Sequence, residues 1–337
     1  MPCCLCLALL AAASVEARLV VSVSVGTDTT HAHVVEGSSG VVLGSSSAAS
    51  QSGASWWTAI GEALSGALTK AERSHLDVSS IEFHPRSPEM PAEPLVTARS
   101  GRPIIIEPSV LAADIGSLSA AAREVAAAGA TWVHVDITDG SLEAGRSLSS
   151  LGPASVAAVR AAAPALLIDV HLYTLNPEAH VVTVAEAGAD RITFQMETLG
   201  AVDSVEAQQR AKALAATISA AGCRVGVCIA PETPVGAVES LCRDRLVDLV
   251  DVLTVNPGIG GQKIQLGVLE KVRALRAAHP SLPYLLVDGG IDDATAPLAA
   301  EAGANALVSG SYLFRAPPGG MGERLHLLER VLVEKGD

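Results

Sequence analysis

The chain has 337 residues, 49% of them apolar and 18% charged, a composition that can bury a full core and does not suit a disordered chain. Its formal net charge of −13 argues against non-specific nucleic-acid binding, which needs a basic surface. It leaves room for a small anion held by backbone N–H groups, and no run reaches the ~18 consecutive apolar residues of a membrane helix.

The chain opens on MPCCLCLALLAAASVEARL, an apolar stretch with no basic residue ahead of it. Residues 1–18 are read as a leader, weak as a secretory signal and open to organelle targeting; the location otherwise expected is cytoplasmic. Next, LVVSVSVGTDTTHAHVVEGSSGVVLG, residues 19–44, reads as a β-hairpin around a Gly-Thr turn. WWTAIGEALSGALTKA, residues 56–71, places apolar residues at 56, 57, 60, 63, 64, 67, 68 and 71, one face of a helix. HPRSPEMPAEPLVTARSGRP, residues 84–103, carries five prolines, so 84–102 is expected to be a linker between a small unit, 19–83, and a large one, 103–337. The cysteines at 3, 4, 6, 223, 228 and 242 match no zinc or disulfide framework, and Cys223 and Cys228 are expected to serve as small apolar residues.

From residue 103 onward, apolar strand-like runs alternate with alanine-rich helical ones. The expected strands are PIIIEPS (103–109), TWVHVD (131–136), LLIDVHL (166–172), RITFQM (191–196), CRVGVCI (223–229), VDVLTVN (250–256), YLLVDG (284–289) and ALVSG (306–310). Gly129, Gly188 and Gly303 follow helical stretches and suit their C-terminal caps. Eight strand–helix units in this length predict an α/β fold, a (β/α)8 TIM barrel with a small N-terminal α/β extension. An open doubly wound sheet is the alternative, because periodicity does not show closure.

Strand alternation puts His134 and Asp136 on one face and Val133, Val135 and Ile137 on the other. His171 closes the third strand and Asp288 the seventh, so all four polar residues fall at the C-terminal rim, facing inward. Two imidazoles and two carboxylates at one rim form a candidate site for zinc, manganese, iron or cobalt. Any one of these residues alone would more ordinarily be a hydrogen-bonded core group; the four together favour a cation. Across the same rim, VNPGIGGQ (255–262), Gly289-Gly290 and SGSYLF (309–314) are glycine-rich turns in three consecutive loops, a pattern expected of a phosphate site.

EPSVLAAD, HVDITDG, DVHL, VNPGIGGQ, VDGGI and ALVSGS, in this order and spacing, resemble the ribulose-phosphate 3-epimerases. The resemblance covers about residues 103–330. It implies a barrel that interconverts D-ribulose 5-phosphate and D-xylulose 5-phosphate with one divalent metal ion (Zn, Fe, Mn or Co) held by His134, Asp136, His171 and Asp288. It further implies Asp136 and Asp288 as an acid/base pair working through a metal-stabilised enediolate. Ser109, His171, Gly258, Ile259, Gly260, Gly261, Asp288, Gly289, Gly290, Gly310 and Ser311 would bind the sugar phosphate, in a homo-oligomer with no nucleic-acid or membrane partner. The chain departs from the family pattern at Thr138, Tyr173 and Leu253, where the family commonly has methionine. It departs again at Gln195, usually histidine, and in SLEAGRSLSS (141–150), which replaces a Val-Pro-Asn loop.

Residues 19–83 are similar in element order to the opening of FGGY-type carbohydrate kinases, with Ser24 where that pattern has aspartate; a non-catalytic fragment is expected. Two alternatives to the pentose-phosphate reaction stand beside it. One is 3-epimerisation of another ketose phosphate, such as allulose 6-phosphate; the other is a barrel kept for binding alone.

Overall fold

The computed structural model describes residues 96–139, 152–257 and 261–335 in full, together with the backbone of five N-terminal strands. Two compact units divide between Met90 and Pro91, inside the stretch expected to be a linker. In the first unit, β1 (Cys4–Leu9), β2 (Leu19–Val25), β3 (Thr29–Glu36), β4 (Val42–Ala49) and β5 (Glu82–Pro85) make one sheet in the order β4-β3-β2-β1-β5. All of its pairings are antiparallel. The expected hairpin is β2 with β3, in a register that pairs Leu19 with Glu36 and Val25 with Thr30. Within the expected leader, residues 4–9 pair with β2. The helix expected over 56–71 and the Gly-Thr turn lie outside the described residues.

The second unit holds β6 (Ile105–Pro108), β7 (Trp132–Thr138), β8 (Leu167–Tyr173), β9 (Arg191–Gln195), β10 (Arg224–Ile229), β11 (Leu249–Leu253), β12 (Tyr284–Asp288) and β13 (Ala306–Ser309). They run in the order β6-β13-β12-β11-β10-β9-β8-β7, each pair parallel. A further parallel bridge from Ser109 to His134 brings the first barrel strand to the second. The result is a nearly closed barrel with helices between its strands, not the open sheet that was the alternative. Ahead of it, Thr97 bridges antiparallel to Pro103 and Ala98 is buried, so the end of the proline-rich stretch folds back as a tight turn.

The two faces of each strand feed two cores. Val133, Val135, Ile168, Val170, Ile192, Phe194, Val250, Val252 and Leu285 join one apolar cluster with helix residues such as Val125, Val159, Leu214 and Leu328. Ile105, Trp132, Leu167, Leu249, Tyr284, Leu286, Ala306 and Val308 make a second cluster with no helix residue, and this is the barrel interior. Period-two alternation accounts for the split, because successive strand residues face the helices and the axis in turn. Helix Val205–Ala220 shows how the outer layer is built. Ser204 caps it by accepting from the N–H of Ala207, and Ala207, Ala211, Leu214, Ala215 and Ile218 form its buried stripe. Gly188 closes helix Val181–Ala187 at φ 119°, a left-handed value, and Gly129 and Gly303 adopt similar values after their helices.

Candidate active site

Alternation carries the inward face of each strand up to the rim, and the four expected residues meet there. His134, Asp136, His171 and Asp288 each offer a ligand atom, and these atoms lie within 4.8 Å of one another. Asp136 is the hub. Its Oδ1 faces His134 Nε2 at 3.3 Å and His171 Nδ1 at 3.2 Å, and its Oδ2 accepts from the Ser109 hydroxyl at 3.1 Å. His134 is 1% exposed, and its Nε2 has no well-directed hydrogen bond. A buried polar atom left so is costly unless something further satisfies it. A bound cation does so, and two imidazoles with two carboxylates are a donor set that divalent transition metals accept.

Beneath the rim lies a buried ionic layer that the sequence alone did not lead us to expect. Arg191 is fully buried on β9 and donates to Glu107 Oε1 at 3.0 Å, with Asp169 Oδ2 at 3.5 Å. Its guanidinium sits 4.1 Å from the Trp132 ring centroid and 5.1 Å from that of Tyr284. Thr193 donates to Asp169 Oδ1 at 2.8 Å, and Glu107 Oε2 meets His134 Nδ1 at 3.1 Å. Asp251, on β11, is also fully buried, and neither of its oxygens has a well-directed hydrogen bond among the described residues. The signal for all four was the same alternation that found the rim: 107, 169, 191 and 251 are inward positions on their strands.

These surroundings pull the carboxyls apart in acidity. Burial alone would raise Asp136, but the charges of His134 and His171 and the His171 hydrogen bond outweigh it and hold this carboxyl far below its usual range. Asp288 is pushed up to about 6 by burial, with the Asp136 charge adding to the rise and the histidines opposing it. Burial and the Asp169 charge push Glu107 up to about 7. Burial lowers both histidines, but Asp136 more than compensates, together with Glu107 for His134, and both end above their ordinary value. Asp251 is raised well above its ordinary value by burial and by the Asp288 charge.

The pH dependence of metal-free stability follows from these directions. Raised acids retain protons in the folded state that the unfolded chain has released. For Glu107 that window runs from 4.5 to about 7, and for Asp288 from 3.8 to about 6, so their contribution to stability falls as pH rises. The raised histidines contribute fully below 6.5 and lose that contribution as pH climbs through their folded values. Asp136 opposes this, its contribution being lost as pH falls below its ordinary 3.8 toward its folded value. Chelator-treated protein is therefore expected to melt at lower temperature at pH 8 than at pH 5, as read by a thermal scan across pH. An equal or higher Tm at pH 8 would contradict this assignment.

Above the rim opens a cavity of about 1030 Å³. Ser109, Asp136, His171 and Asp288 line it with Gly261, Gly289, Gly290, Gly310 and Ser311, so these expected residues share one space. Gly258, Ile259, Gly260 and the 141–150 loop lie outside the described residues. Gly290 has φ 69°, and a Cβ there would stand 2.5 Å from the backbone nitrogen of Ile264, so the loops after β11 and β12 interlock at this glycine. Thr254 adds a clasp by donating its hydroxyl to the carbonyls of Asp288 and Gly289. Lys263, Arg315 and Arg324 also line the cavity, a basic mouth on an acidic chain that glycine-rich turns do not signal. Thr138, Tyr173 and Leu253, three of the departures from the resembled family's pattern, face the same space.

A parallel eight-stranded barrel with titratable groups gathered at the C-terminal rim defines the chain as a barrel enzyme. Comparison with known proteins narrows the class. The model of the ribulose-phosphate 3 epimerase family matches residues 105–314. A cytoplasmic isoform of ribulose-phosphate 3-epimerase from Oryza sativa subsp. japonica is 40% identical over 212 residues, covering 63% of this chain and 87% of that protein. The ribulose-phosphate 3-epimerase of Bacillus subtilis is 36% identical over 215 residues, covering 63% of this chain and 92% of that protein. A chloroplastic ribulose-5-phosphate-3-epimerase from Arabidopsis thaliana is also 36% identical, over 216 residues, covering 63% of this chain and 72% of that protein. The chain belongs to the ribulose-phosphate 3-epimerase family and is an isomerase. Among solved structures, KGPDC from Streptococcus mutans aligns with TM-score 0.50 at 14% identity, over 68% of this chain and 97% of that one, a likeness of fold alone. The kinase resemblance of residues 19–83 gains no support from these matches. Among the described residues, no helix is long and apolar enough to cross a membrane.

Proposed function

We propose that the barrel is a metal-dependent epimerase that inverts C3 of D-ribulose 5-phosphate to give D-xylulose 5-phosphate. The observation that carries this reading is the convergence of His134, Asp136, His171 and Asp288 within 4.8 Å, with a buried imidazole nitrogen left unsatisfied among them. These four residues would hold one divalent ion, which when bound supplies Lewis-acid stabilisation of negative charge on the enediolate oxygens.

Inversion needs a proton taken from one face of C3 and another returned to the opposite face. Asp136, held ionised by its two histidines in the metal-free site, has no proton of its own and so is free to take one, as a weak base. Asp288, pushed up to about 6 in the metal-free site, more readily carries one there, and it would give that proton up on binding the ion. Separating the acidities of two neighbouring carboxyls is how a site assigns acid and base roles at one pH. Ser109 steadies Asp136 from the side through its hydroxyl. The glycine-rich turns offer backbone N–H groups to the phosphate, and Lys263, Arg315 and Arg324 add positive charge at the mouth. The proposed substrate is a small sugar phosphate; a homo-oligomer in the cytoplasm is the accompanying proposal, with organelle targeting by residues 1–18 as its alternative.

The test is metal content and C3 proton exchange on one purified sample. About one equivalent of metal is expected, with solvent deuterium entering C3 of ribulose 5-phosphate faster than that of allulose 6-phosphate. A protein loaded in turn with zinc, manganese, iron and cobalt that leaves the C3 proton in place would be a binding barrel instead.

A further inference from the structure

Each rim histidine turns one nitrogen toward Asp136 and the other away from it, and the two do so in opposite senses. His134 presents Nε2 to Asp136 Oδ1 and sends Nδ1 to Glu107. His171 presents Nδ1 to the same oxygen and sends Nε2 to Gln195 Oε1 at 2.9 Å. The outward partners are themselves held by neighbours, Glu107 by a guanidinium that can only donate and Gln195 by a carboxylate that already accepts from a backbone N–H. Arg191 can only donate, and it occupies Glu107 Oε1, leaving Oε2 to face His134. On the other side, Glu197 accepts from the backbone N–H of Ala230 at 2.9 Å and from the Thr233 hydroxyl, and it also receives the Gln195 amide N–H. With its NH₂ group turned to Glu197, Gln195 offers its carbonyl oxygen to His171. Toward His171, that oxygen is satisfied when Nε2 carries the ring proton.

We infer that Glu107 and Gln195 are positioning residues that set the two imidazoles in opposite tautomers, leaving His134 Nε2 and His171 Nδ1 bare toward the cation. The inference rests on the metal reading above. A neutral imidazole binding metal through one nitrogen keeps its proton on the other, so whichever partner accepts that proton decides the ring's orientation. Glu107 is braced by Arg191 and Gln195 by Glu197, which gives each ring an acceptor anchored in the barrel wall. Gln195, a departure from the family pattern, is thereby the residue whose carbonyl oxygen accepts from His171.

The test uses full-length protein with ¹⁵N-labelled histidine, loaded with zinc, read by long-range proton–nitrogen correlation. Expected are a protonated Nδ1 and zinc-bound Nε2 at His134, and a protonated Nε2 and zinc-bound Nδ1 at His171. Gln195→Met and Glu107→Met, which keep bulk and remove the acceptor, are each expected to weaken zinc binding about 10- to 100-fold in competition with a chelator. Glu107→Gln, which keeps an oxygen acceptor, is expected to fall between Glu107→Met and the parent. In Gln195→Met the His171 N–H resonance should broaden through exchange, a change that loss of packing alone would not centre on this ring. A reversed tautomer at either histidine in the zinc-bound parent overturns the inference while the metal reading stands. So does zinc affinity within twofold of the parent in both methionine variants. A parent that takes up no divalent metal overturns the metal reading and the inference with it.

Discussion

Asp136→Asn is expected to lower the rate of epimerisation by about 10³-fold or more with the fold retained. The size follows from the two roles one carboxylate combines: a proton acceptor contributes about 10²- to 10⁴-fold, and the same group is a proposed ligand. Asparagine has the same shape, and its carbonyl oxygen can still accept from Ser109 or from one histidine, so packing at the rim changes little. What disappears is the negative charge on which His134, His171 and Ser109 converge. Asp288→Asn should cost a similar factor, but the two variants should fail differently. If each carboxylate serves one face of the sugar, each variant still has a base for one epimer. Asp136→Asn would then exchange the C3 proton of one epimer with deuterium and not of the other, and Asp288→Asn would show the reverse preference. Initial rates from both epimers, with exchange followed by NMR, check this directly. Epimerisation in Asp136→Asn within tenfold of the parent would remove that residue from the chemistry.

The rim was legible because strand alternation is a local rule. Once HVD is read as strand, His134 and Asp136 must share a face, and the same count puts His171 and Asp288 at inward strand ends. The barrel was legible for a similar reason, since β-branched runs and capping glycines such as Gly188 recur along the chain. The ionic layer beneath was harder to read. Glu107, Asp169 and Arg191 sit on three strands and become intelligible only when closure brings β6 beside β7, where Glu107 can meet His134 and Arg191. Read singly, Glu107 was the first letter of EPS and Arg191 the start of a strand. Gln195 was visible in the sequence only as a departure; its pairing with His171 depends on the parallel register of β8 and β9. The cations at the cavity mouth carry no local signature, because Arg315 and Arg324 lie after the short helix beyond β13 and reach the rim only through the fold.

Arg191→Met is expected to destabilise the barrel by about 3–5 kcal/mol at pH 8, the cost typical of removing one partner from a buried ion network. The side chain is fully buried and so are Glu107 and Asp169, so bulk solvent does not reach the gap the guanidinium would leave. Methionine fills much of the space against Trp132 and Tyr284, which limits the cavity contribution and isolates the electrostatic one. The two carboxylates would then keep only His134 beside Glu107 and the Thr193 hydroxyl on Asp169, and the protein's remedy is to keep a proton on one of them. Glu107, already pushed up to about 7 in the parent, is the group placed to do so, and losing Arg191 removes one of the influences holding it down. The destabilisation should therefore be smaller at pH 5 than at pH 8. Adding Glu107→Gln should recover part of it, because a neutral amide beside Asp169 no longer opposes a second charge. Urea unfolding of the three proteins at both pH values tests each step. A single variant within about 1 kcal/mol of its parent at pH 8 would mean that Arg191 does not neutralise the layer beneath the rim. His134 would then be held by its packing rather than by the Glu107–Arg191 pair.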